Sequence, residues 1–297
     1  MDIKAVLMGL AFAFMWSSAF TSARVIVEYA PPLSALALRF LISGLIGVGI
    51  AWILGQSARL TRRQWTGVLV FGLCQNALYL GLNFVAMQTI PASLAAIIAS
   101  TMPLLVALVG WGVFGTRVRP LGIIGLLAGL LGVVLIMGAR LQGGIDLFGL
   151  ILCVIGVMSL TVATLAVMGA SSGGNVLMIV GLQMLVGSAL LFIPAVALET
   201  LVVTWNWQLI TAFAYTVLVP GLAATLVWFL LVGRIGAVKA STFHFLNPFL
   251  GVAVAAMLLG EKIGPLDVLG VVIIALGILA VQLSRQPAPI TPRMPPV

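Results

Sequence analysis

Leu94–Ile136 reads LAAIIASTMPLLVALVGWGVFGTRVRPLGIIGLLAGLLGVVLI, and Lys239–Val281 reads KASTFHFLNPFLGVAVAAMLLGEKIGPLDVLGVVIIALGILAV. The two align without gaps through Ala95/Ala240, Pro103/Pro248, Gly115/Gly260, Pro120/Pro265, Leu121/Leu266, Gly125/Gly270, Leu131/Leu276 and Gly132/Gly277. Glycine and proline specify backbone shape, so their coincidence predicts two halves that fold alike. Each copy carries a proline inside an apolar run. Hydrophobic segments interrupted at corresponding places in two halves point to the binding site of a carrier.

The composition puts those copies in a membrane. The chain is 63% hydrophobic and 7% charged, with mean hydropathy +1.29, and no soluble domain of this length covers such a composition with polar surface. Apolar runs long enough to cross a ~30 Å hydrocarbon core recur throughout. They predict an all-α integral membrane protein with ten spans, roughly 5–23, 33–54, 65–87, 91–114, 120–138, 147–169, 175–198, 208–232, 238–259 and 265–284. The connections are too short to hold a soluble domain. The first run could be read as a signal peptide, but removing it would leave nine spans and upset the repeat, so it counts as a helix.

Five spans fall in each half, 1–140 and 145–284, and an odd number makes the second copy inverted. The formal charge of +8 agrees with that topology. Lys4, Arg59, Arg62, Arg63, Arg117, Arg119, Arg234, Lys239, Arg285 and Arg293 fall on one side, whereas Arg24, Arg140 and Lys262 on the other each stand near an acid. The bias predicts cytoplasmic termini in the cytoplasmic (inner) membrane and needs no nucleic-acid partner. Ser171–Gly174 reads as a flexible connection. The proline-rich tail 285–297 is expected to be disordered or polyproline-like. Cys74 and Cys153 lie inside apolar spans, which suits neither a disulfide framework nor a metal site, and no cofactor is expected.

These motifs resemble the drug/metabolite transporter superfamily in its ten-helix EamA-type branch. The resemblance rests on Thr101–Met102–Pro103 with Phe114–Gly115–Thr116–Arg117 and Pro120, Gly125 and Gly132. It is repeated in Leu246–Asn247–Pro248 with Leu259–Gly260–Glu261–Lys262 and Pro265, Gly270 and Gly277. It covers about residues 5–284, and Thr116 departs from the acidic residue usual after that glycine. A narrower likeness, to bacterial aromatic amino acid exporters of the YddG type, rests on Trp16–Ser17–Ser18–Ala19–Phe20, Tyr79, Asn83 and His244. The resemblance implies a central cavity lined by spans one, three, four, six, eight and nine.

Several residues stand out at membrane depth. Pro103 and Pro248 deprive the carbonyls of Ala99 and His244 of their helical donors. Either a cavity serves those carbonyls with water or substrate, or neighbouring Ser and Thr repair a plain kink. Ser241, His244 and Pro248 share a helical face, as do Asn76, Tyr79 and Asn83. Intramembrane polar groups face a cavity or bond between helices. Trp16, Ser17 and Trp228 complete the candidate substrate-binding set. His244 is the one histidine, suited to accept a hydrogen bond, stack on an aromatic substrate or relay a proton. Arg39 lies about two turns into span two, placed either to snorkel towards Glu28 or to attract a substrate carboxylate.

No carboxylate is expected at mid-depth, since all six acids fall at or beyond span ends. That favours a neutral or zwitterionic substrate over a drug cation exchanged for protons. The glycine pairs of spans five and ten suggest close helix packing within a monomer. With no G-x-S-x-G or H-E-x-x-H pattern, catalysis is not expected. The expected function is export of small metabolites, amino acids with aromatic ones favoured, by alternating access. The alternative is multidrug efflux of hydrophobic cations.

Overall fold

The computed structural model describes residues 3–113, 115, 119–142, 144–167, 174–235, 240 and 242–284, and these are helical without a strand. Eight helices among them are long and apolar enough to cross a membrane, and two shorter apolar helices, Pro120–Ile136 and Phe243–Leu259, accompany them. In chain order they are α1 (Ile3–Tyr29), α2 (Pro32–Ile53), α3 (Arg62–Ala86), α4 (Ala92–Gly112), α5 (Pro120–Gln142), α6 (Leu147–Val167), α7 (Val176–Leu198), α8 (207–235), α9 (242–259) and α10 (Pro265–Ser284). The expected connection at Ser171–Gly173, the tail, Thr116, Arg117 and the candidate Ser241 lie outside the described residues.

Local chemistry sets the ends. Thr61 and Gln64 form a capping box at the start of α3, each side chain accepting from the other's backbone N–H. Asn206 caps α8 by accepting from Leu209 N at 2.7 Å. Gly260 ends α9 in the left-handed region at φ 66°, and Gly115 after α4 sits at φ 62°. α1 runs to Tyr29, six residues beyond the apolar run that predicts it. Arg24 and Glu28, one turn apart and 3.5 Å from each other, carry the helix out past its hydrophobic part.

Two antiparallel pairs frame the molecule, α2 against α7 and α5 against α10. Lipid tails give helices no hydrophobic reason to associate, so contact depends on small residues that let backbones approach. In the second pair a Cβ on Gly277 would lie 2.6 Å from Gly125 O, and one on Gly132 would lie 2.9 Å from Gly270 O. In the first, a Cβ on Gly181 would lie 2.8 Å from Val48 N. α2 and α7 also cap one another. Glu199, just past α7, accepts from Leu33 N (2.7 Å) and Ser34 N (2.8 Å) at the start of α2. Gln56, just past α2, accepts from Met178 N (3.0 Å) at the start of α7. α1 packs on α4, α8 and α9.

The breaks in the helices recur at one interval along the chain. α4 is interrupted at Thr101, between Ser100 and Met102. α9 begins as a 3₁₀ turn, Thr242–Leu246, and becomes α-helical at Asn247. The interval from Pro103 to Pro248 also separates Gly72 from Val217, where α3 and α8 widen into π-helix over Gly72–Leu80 and Val217–Ala223. It separates Gly115 from Gly260 as well.

Candidate functional site

Trp16 and Phe20 of α1 and Tyr79 of α3 form walls common to two adjoining chambers. The first chamber adds Arg39, Asn83, Met87 and Pro220 and encloses about 490 Å³, mouth included. The second adds Ser100, Pro103, His244 and Asn247 and encloses about 340 Å³ on the same measure. Those figures count the open mouths. The cavity within is about 50 Å³ in the first and about 20 Å³ in the second. That is room for waters at ~10–15 Å³ each, so the walls must part to admit a metabolite. The second chamber opens at the two helix breaks, because Pro103 lies in one and Asn247 in the other.

The helix breaks are well supplied with hydroxyls. Ser100 Oγ donates to Ala96 O and Thr101 Oγ1 donates to Ile98 O, both at 2.6 Å. From α1, Ser17 Oγ donates to Asn247 O at 3.3 Å, tying that helix to the break in α9. Pro248 is buried beside it. Asn247 Nδ2 lies 3.0 Å from His244 Nδ1. With the amide donating, Nδ1 is the acceptor and the imidazole proton sits on Nε2. Asn247 Oδ1 is buried without a partner. The His244 ring meets Phe12 edge-on, centroids 5.4 Å apart.

α3 distributes its three candidate residues unequally. Tyr79 reaches both chambers, and Asn83 lines the first while its Nδ2 donates to Tyr79 O at 2.8 Å. Asn76 instead donates to Gln183 O of α7 at 2.9 Å. A Cβ on Gly187 would fall 2.4 Å from Asn76 Cβ, so this glycine makes the room. The shared face expected from α-helical spacing is undone by the π-helical stretch, whose longer turn rotates Asn76 towards α7. Trp228 stands with Phe12 (4.7 Å) and His244 (5.3 Å) in an aromatic group behind the second chamber. It also packs against a small cluster of Ala5, Leu231, Ala240 and Phe243.

Arg39 is 6% exposed and lines the first chamber. Its Nε has no partner, and its guanidinium carbon lies 5.0 Å from the Phe40 ring centroid. Glu28 is engaged by Arg24 instead, because Arg24 shares its helix face. Neither chamber has an acid among its described lining residues, and no cluster among the described residues suits a metal ion. Sequence reasoning passed over Asn247, Phe12 and the two π stretches. The Asn–Pro pair at the break and Pro220 inside span eight were the available signals.

The sequence model of the EamA-like transporter family matches the chain twice, over residues 3–138 and 147–283. The uncharacterized transporter YvbV of Bacillus subtilis is 28% identical over 256 residues, 86% of this chain and 84% of the relative. The uncharacterized inner membrane transporter YedA of Escherichia coli is 28% identical over 301 residues, 98% and 95%. The aromatic amino acid exporter YddG of Ancylobacter novellus is 32% identical over 140 residues, 47% and 48%. A solved crystal structure superposes with a TM-score of 0.70 at 21% identity, covering 95% of this chain and 98% of that one; this likeness is one of fold.

Proposed function

The chain belongs to the EamA-like transporter family and is a multi-pass protein of the inner membrane; from that premise we propose that it exports small metabolites, amino acids with aromatic ones favoured. The carrying observation is the pair of chambers that share Trp16, Phe20 and Tyr79, the second of which opens at the interrupted helices α4 and α9. The aromatic faces suit a flat side chain once the walls part, while polar groups at the breaks and Asn83 answer its polar end. The two family matches and the common interval between breaks, π stretches and left-handed glycines support two inverted halves, 1–140 and 145–284. Two inverted copies of one fold offer two related conformations, which expose one site alternately to each side.

Efflux of hydrophobic cations draws on the same aromatic walls. Arg39 in the first chamber weighs against it. A ligand cation ~5 Å from that guanidinium is disfavoured by about 3 kcal/mol at an effective dielectric of ~20.

Counterflow in proteoliposomes tests the proposal, with unlabelled phenylalanine inside and labelled phenylalanine entering. Entry competed by aromatic amino acids, spared by threonine and choline and indifferent to a pH gradient is expected. Movement of an organic cation driven by the pH gradient, without phenylalanine exchange, replaces the proposal with cation efflux.

A further inference from the structure

We propose that Arg39 is the carboxylate anchor of the two chambers, so that the site selects aromatic monocarboxylates and does not require the ammonium group of an amino acid. The proposal rests on the carrier reading above and names the part of the substrate that the carrier holds. Arg39 stands seven residues into α2, roughly 10 Å along the axis from its first residue, Pro32, at 1.5 Å per residue. A guanidinium keeps its charge at any physiological pH and presents five N–H donors. Buried charge is retained in proteins where it is paired. Here Nε is buried with no acceptor, and Glu28 is taken by Arg24. The Phe40 ring faces the cation but accepts none of its N–H groups in the manner of an oxygen. A ligand oxygen is the partner that the chamber lacks.

The surroundings narrow the ligand. Arg39 is the one cation among the described lining residues of either chamber, so a monoanion neutralises the site and a phosphate dianion leaves net negative charge in it. Trp16, Phe20 and Tyr79 continue from Arg39 towards the second chamber and suit an aromatic body. The partnerless atom in the second chamber is an acceptor, Asn247 Oδ1, which repels a carboxylate. The anionic end therefore belongs beside Arg39 and the ring beyond it. No acid among the described lining residues waits for an ammonium, which is why that group is dispensable.

Binding to the purified full-length protein, read by isothermal titration, separates the possibilities with phenylalanine, 3-phenylpropionate and phenethylamine as ligands. 3-Phenylpropionate is expected to bind comparably to phenylalanine, and phenethylamine about 10- to 100-fold more weakly, the range of a lost charge-assisted hydrogen bond. Arg39→Met should lose a similar factor for both carboxylates and should not weaken phenethylamine, whose ammonium the guanidinium repels, with Arg39→Lys between. Phenethylamine binding as tightly as 3-phenylpropionate overturns the anchor, as does failure of both carboxylates to bind. Wild-type carboxylate affinity in a folded Arg39→Met protein also overturns it. If Arg39→Met does not fold, the three ligands on the wild type decide alone. Counterflow by the same preparation reports on the carrier separately: exchange that ignores the carboxylate removes the anchor and keeps the carrier, and carboxylate binding without exchange does the reverse.

Discussion

At the scale of residues, the polar side chains inside the bundle divide into those that join helices and those that line space. Asn76 belongs to the first kind, donating to Gln183 O across to α7. Asn76→Ala is expected to lower stability by about 0.6–2 kcal/mol, seen as a lower melting temperature, with substrate affinity unchanged. Tyr79 and His244 line chambers. Replacing either with alanine should cut counterflow about tenfold or more, the scale of 1.4 kcal/mol; Tyr79 is buried, so its alanine variant also leaves a cavity and melts lower. Wild-type exchange in both variants would remove them from the site. Tyr79, Asn83, His244 and Trp16 were legible because polar and amphipathic residues are rare at that depth and need a reason. Arg39 was ambiguous, since one linear spacing permits both Glu28 and the chamber. The decision turns on Arg24, which occupies the glutamate one helical turn away.

At the scale of elements, proline and glycine were informative in the sequence and hydrogen-bond slippage was not. Pro103 and Pro248 announced the breaks because proline withdraws a donor from any helix it enters. The π stretches in α3 and α8 contain ordinary residues such as Leu80 and Val217, and nothing in periodicity separates one inserted residue from an α-helix. The glycines of α5 and α10 suggested close packing, but not that Gly125 meets Gly277 and Gly132 meets Gly270. That crossing of partners follows from the antiparallel course of the two helices. Gly277→Val places side-chain atoms against Gly125 O and the Gly129 backbone, which cannot swing aside. A loss of about 1–3 kcal/mol is expected, measured as a lower melting temperature of the solubilised protein. Glu199→Ala should cost about 0.5–2 kcal/mol, because it leaves two N–H groups at the start of α2 without an acceptor.

At the scale of the whole molecule, the connections hold helix ends together on both faces. Asp146 lies in the short connection between α5 and α6. The Thr89 hydroxyl, donating at 2.6 Å, holds its carboxyl below the usual carboxylate range, joined by the Gly149 and Phe148 N–H groups against some desolvation. A lowered value means that this contribution to stability is complete above the unfolded aspartate value, ~3.9. It is lost as pH falls through the lower folded value. Melting of Asp146→Asn should therefore run below wild type by a constant margin from pH 5 to 8, and the two curves should converge only in strong acid. The mutual capping of α2 and α7 has a mechanical meaning. A beam pinned at both ends carries thrust and does not slide along its neighbour, so these two helices travel as one piece. Strain must then collect where the backbone is already irregular, in α3, α4, α8 and α9. A cysteine cross-link from α2 to α7 should accordingly leave exchange intact, while one between α1 and α9, which pack on each other, should stop it.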